Sequence, residues 1–166
     1  MTESNTLYDI STYVESGSDL NEFEGGFKGK ETATFPYDLK ALSAENGGFD
    51  ILKSPPFGNS IVADFAIAAI DGEQLGKDNI PDVLAVSFSS PDYVGHNFGV
   101  NSKEVQDTYL RLDKDLERLF NALDTKVGKG NYTVFLTADH GAVHVPSYLK
   151  SVKIPAGYIS STQTKV

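Results

Sequence analysis

Two short stretches place metal-ligating side chains directly after apolar runs. In SFSSPDYVGHNFG, residues 87–99, Asp92 and His96 stand four apart; in FLTADHGAV, residues 135–143, Asp139 and His140 are adjacent and Gly141 follows. Carboxylate oxygens and neutral imidazole nitrogens together suit zinc and similar divalent ions. Taken singly, each pair has an ordinary structural role: a cap after Pro91 for Asp92, a half-buried imidazole bonded to backbone for His96, a strand-ending turn for Asp139, His140 and Gly141. The chain has only three histidines, and two of them sit in these stretches with an Asp close by. That coincidence favours a metal role. His96 is expected to swing back over a Gly95-containing loop toward the ion held by Asp92, and a sharp turn at Gly141 to let Asp139 and His140 face one ion. Two pairs imply two ions, the arrangement used for in-line displacement at phosphorus.

Elements must carry these pairs to one place. Pro55, Pro56 and Gly58 read as a turn, Asn59 or Ser60 as a cap, and Val62, Phe65, Ala66, Ala69 and Ile70 recur at helical spacing, predicting a helix over about 60–74 closed by Gly76. DVLAVSFSS then reads as a buried strand. Val105, Tyr109, Leu112, Leu116, Leu119, Phe120 and Leu123 follow Asn101 or Ser102 as cap and predict an amphipathic helix over about 102–126. A second buried strand is expected from Tyr132 to Thr137, and a third near Val152 to Ile154. Helix and strand alternating in this way predict an α/β fold, a parallel-sheet core flanked by helices, with Asp92, His96, Asp139 and His140 converging at one sheet edge. Residues 1–54, rich in Gly, Ser, Asn and acids, are expected to form a loop-rich cap or insert region, and residues 55–166 a partial α/β core.

The totals bound the alternatives. A chain of 166 residues that is 40% apolar supports one core, and a net charge of −9 without a block of Lys or Arg argues against a nucleic-acid partner. The absence of cysteine removes thiolate chemistry and Cys-based zinc sites. No apolar run reaches the length of a membrane span, and the opening MTESNTLYDI has no signal-peptide pattern, so no membrane partner is expected.

SFSSPDYVGHNFG and FLTADHGAV, with SPPFGNSIVADFA upstream, resemble the alkaline phosphatase superfamily over about Pro55 to Pro146. The likeness is greatest to its type I phosphodiesterase and nucleotide pyrophosphatase-like branch, which includes bacterial alkaline phosphatases with a threonine nucleophile. The resemblance implies two Zn²⁺, one held by Asp92 and His96 and the other by Asp139 and His140. It implies hydrolysis of phosphate esters through a covalent phosphoryl-enzyme, in a periplasmic or secreted parent. The family's nucleophile, its upstream metal-binding Asp and its downstream His lie outside the matched stretch, so the chain is expected to be an internal fragment, inactive alone. Asp9, Thr12 and Asp38 are the local substitutes for the absent Asp or nucleophile, and His144 is a candidate third ligand or, more simply, a loop histidine. A partial sheet would expose apolar surface and an unpaired edge, which predicts homo-oligomers of the fragment. A reading from a different class is a non-catalytic α/β protein-interaction module.

Overall fold

The computed structural model describes residues 4–160 and 162–163. Among the described residues five α-helices succeed one another: α1 Leu39–Leu42, α2 Phe57–Gly72, α3 Ser90–Phe98, α4 Lys103–Leu123 and α5 Pro146–Ser151. Short 3-10 turns at Ile10–Thr12, Ser43–Glu45 and Gly48–Lys53 punctuate the opening, and a π turn, Asp124–Gly128, prolongs α4. No helix among the described residues is long and apolar enough to cross a membrane.

The expected parallel-sheet core is not formed. Among the described residues the only β pairing is an isolated antiparallel bridge between Ser4 and Tyr37. Residues 81–89, 132–138 and 152–154 carry no strand, and several apolar side chains meant for a sheet interior lie open, Val83 92%, Phe135 89% and Leu136 83% exposed, while Val86 and Phe88 pack partly buried against α2 and α4. The β-branched and aromatic content of these runs was a correct observation with a wrong consequence. A strand exists only where a second backbone lies about 4.8 Å away to complete the ladder, and no such neighbour stands beside them here. The architecture of the chain is therefore helical.

Helix α4 is the axis of the packing. Its N-cap is Ser102, whose side chain accepts from the Val105 N–H at 3.1 Å. Against α4 pack α2 and α3. One core gathers Phe27, Tyr37, Leu39, Leu42 and Ile51 from the first third around Val94 and Phe98 of α3; a second joins Ala66 and Ile70 of α2 to Leu119 of α4. In the first core Phe27 meets Tyr37 and Phe98 edge-on, ring centroids 5.5 and 5.6 Å apart, contacts worth about 1 kcal/mol each beyond area burial.

Two details of the helices differ from the periodic pattern. Phe65, Tyr109 and Phe120, expected on buried faces, are exposed, whereas Glu104, Asp107 and Asp115 of α4 are buried. Each buried acid has a partner: Tyr37 for Glu104, Tyr13 and Arg111 for Asp107, Ser60 and Arg118 for Asp115. Helix α2 starts at Phe57 after Pro56 with no side-chain cap, so neither Asn59 nor Ser60 caps it, and it ends at Gly72 rather than near Gly76.

Candidate metal centre

Asp92 and His96 do not lie on a loop. They belong to α3, which starts beside Pro91 in the first turn, where the missing proline N–H costs nothing, and stops at Gly99 with φ +86°. Ser90, Val94 and Phe98 form its buried face, so Asp92 and His96, one turn apart, share the face turned outward. Oδ1 of Asp92 is 3.4 Å from Nε2 of His96. Asp92 also stands in the first turn of its helix.

The second pair arrives from the far side. Nε2 of His140 is 3.6 Å from the same Oδ1 of Asp92 and 3.8 Å from Oδ2 of Asp139. Asp92 thus stands between two imidazoles, and the pairs that the sequence presents separately meet through it. Gly141 acts differently from the expected sharp turn: its φ is not positive, and its carbonyl lies 2.9 Å from Nδ1 of His140. A carbonyl only accepts, so Nδ1 carries the proton and Nε2 presents its lone pair toward the cluster. The same contact, followed by Asp139 and then Asp92, holds the His140 pKa above the usual imidazole value.

The donor chemistry fits a divalent ion. Two ligands at about 2.1 Å from one tetrahedral ion lie roughly 3.4 Å apart, close to the spacings between Asp92 and the two imidazoles. Among the described residues no group of three or more His, Asp or Glu side chains is placed to hold a metal ion by itself. The cluster is open: the side chains of Asp92, His96, His140 and Asp139 are 45%, 78%, 57% and 91% exposed.

The remaining candidates have other partners. Asp9 accepts from the Ser11 N–H and hydroxyl, Thr12 donates to the Asp9 carbonyl, and Asp38 caps α1 through the Ala41 N–H at 2.9 Å. These are local turn and cap contacts. His144 has its ring 5.0 Å from that of Tyr148 and its Nδ1 3.3 Å from the amide nitrogen of Asn101. The Gly141 carbonyl was not foreseen from sequence, since any residue could supply it.

The family of type I phosphodiesterases and nucleotide pyrophosphatases matches residues 13–159. The chain belongs to this family. It is 55% identical over 153 residues to the alkaline phosphatase PhoV of Synechococcus elongatus, covering 92% of this chain and 27% of that relative. It is 52% identical over 163 residues to the alkaline phosphatase PafA of Elizabethkingia meningoseptica, covering 97% of this chain and 29% of PafA. The crystal structure of wild-type PafA matches 95% of this chain and 30% of its own with a TM-score of 0.86 at 49% identity. A PafA mutant with four substitutions gives a TM-score of 0.90 at 50% identity, over 98% of this chain and 31% of its own. The chain therefore spans under a third of the length of these relatives. Over the matched length the backbone of this chain superposes closely on that of the two PafA structures.

Proposed function

We propose that this chain contributes Asp92, His96, Asp139 and His140 to the zinc centre of a phosphoester hydrolase, with phosphate esters as the substrate class. The observation that carries the reading is the convergence of His96 and the sequence-distant His140 on one carboxylate oxygen, Asp92 Oδ1, with Asp139 beside His140. Membership of the family and likeness to proteins named alkaline phosphatase support the ester class.

Bound zinc would supply Lewis acidity toward the phosphoryl group. The chain's own residues supply its seat. Asp92 offers anionic oxygen from a helix whose opposite face is locked in the core, so the carboxylate has a fixed origin. His140 is oriented by the Gly141 carbonyl with Nε2 free to ligate, the second-shell contact that metal-bound imidazoles ordinarily have. Asp139 adds negative charge beside it, which favours a cation there.

The test is isothermal titration of zinc into chelator-stripped full-length protein, wild type beside His96→Ala and His140→Ala, with p-nitrophenyl phosphate turnover on the same samples. Each substitution should weaken zinc binding and depress turnover. Zinc affinity and turnover unchanged in both variants would overturn the assignment.

A further inference from the structure

We infer that Gly25 and Gly58 are positioning residues of this centre, holding the two ends of α3 against the neighbouring chain so that Asp92 sits at its present distance from His140. The inference rests on the zinc reading above and extends it to two residues that touch no proposed ligand. At the amino end of α3, a Cβ on Gly58 would fall well inside 3.0 Å of the Ser90 hydroxyl oxygen and 2.8 Å from the Leu52 carbonyl. At the carboxyl end, a Cβ on Gly25 would overlap the Asn97 carbonyl oxygen. Neither Gly25 nor Gly58 has positive φ, so the backbone conformation does not demand glycine at either place. What demands it is the closeness of α3.

The two contacts bracket the ligands. Ser90 lies two residues before Asp92, and Asn97 one residue after His96. Between them Val94 and Phe98, essentially without solvent contact, fix the helix laterally. Close-packed neighbours transmit an added methyl as displacement, because no void receives it. The displacement has a directional signature. The 3.4 Å spacing of Asp92 and His96 lies within one helix and moves with it, whereas the 3.6 Å spacing of Asp92 and His140 joins α3 to a separate segment and must change. A centre that needs both segments loses its geometry while the helical pair stays intact.

The experiment uses the full-length protein, wild type beside Gly25→Ala, Gly58→Ala and Gly72→Ala, the last at the end of α2 where a Cβ would meet nothing within 4 Å. Crystal structures give the separation of Asp92 from His140, chelator competition gives zinc affinity, and thermal melts report folding. The expected result is a displaced α3 with zinc bound about ten- to a hundredfold more weakly in the Gly25 and Gly58 variants, and no change in Gly72→Ala. Gly58→Ala combined with Ser90→Gly, which removes one of the two groups in the way and leaves the Leu52 carbonyl, should recover part of the affinity, a rescue that general destabilisation would not give. Should Gly58→Ala fail to fold, Gly25→Ala, in a loop, carries the comparison. An unmoved α3, or a moved α3 with wild-type zinc affinity, overturns the inference. A wild-type protein that takes up no zinc removes the zinc reading itself, and this inference with it.

Discussion

The Tyr37 hydroxyl donates to Oε1 of Glu104 across 67 residues of sequence, joining the first third of the chain to the first turn of α4. The other oxygen of Glu104 is buried without a partner, as are both oxygens of Glu24. Burial pushes the Glu104 carboxyl up to about 7, and burial followed by the Glu104 charge pushes Glu24 up to about 8, with Asp19 adding to both and Lys103 partly offsetting at Glu24.

Stability should therefore fall as the solution is made alkaline. The native state holds protons on Glu24 and Glu104 that the unfolded chain releases near pH 4.5, so the native state binds more protons between there and about pH 8. The midpoint of thermal unfolding is expected to decline across that window and level off above it. Glu24→Gln should flatten the decline and raise the midpoint at pH 8. A variant with the wild-type slope would show that these carboxyls are ionised in the native protein.

Asp107 is a second tie between the opening segment and α4. It is fully buried, with Oδ1 accepting from the Tyr13 hydroxyl at 2.5 Å and the Leu7 N–H at 2.6 Å, and Oδ2 from Arg111 Nε at 2.6 Å. Asp107→Ala leaves a buried phenol and a half-buried guanidinium unpaired, which should cost about 3–5 kcal/mol. Urea unfolding measures it, and Asp107→Asn, which keeps an acceptor oxygen, should lose less.

Phe98 closes the inner face of α3 and is 1% exposed. Phe98→Ala should destabilise by about 3–5 kcal/mol through lost burial and a residual cavity. Since this face holds α3 from the side opposite Asp92 and His96, zinc affinity should drop as well. Denaturation and chelator competition on one preparation give both values.

Zinc affinity should weaken as the pH is lowered, because a protonated imidazole cannot ligate. The Gly141 carbonyl, Asp139 and Asp92 hold the His140 pKa above its ordinary value of 6.5, so proton competition at His140 starts above that pH. Asp139→Asn removes one of these charges and should shift the onset downward. Titrations between pH 8 and 5 show it; an affinity flat over that range would exclude His140 as a ligand.

Much of the helical framework was legible in the residues. The periodicity predicts the long helix over about 102–126, and it runs Lys103–Leu123 with Ser102 as cap, since a 3.6-residue period and a capping hydroxyl are local properties. Helix α2 was legible for the same reason. The short helix α3 was missed because Gly95 and the polar residues Asp92, His96 and Asn97 dilute its apolar face to Val94 and Phe98. Helix α5, Pro146–Ser151, is not expected from the sequence, because its six residues are too few for a period to show.

Sequence by itself determined which side chains carry metal-ligating groups in these two motifs, Asp92, His96, Asp139 and His140, because ligand chemistry belongs to the residue. It also determined where α2 and α4 run, because each helix satisfies its own backbone. The tertiary structure alone decided that the apolar runs 81–89 and 132–138 form no sheet, since a ladder needs a partner that propensity cannot supply. It alone decided that Glu104, Asp107 and Asp115 are buried, since their tolerance depends on Tyr37, Tyr13 and Ser60 arriving from distant positions. The meeting of His96 and His140 on one oxygen of Asp92 is of the same kind: a distance between segments, set by how α3 packs.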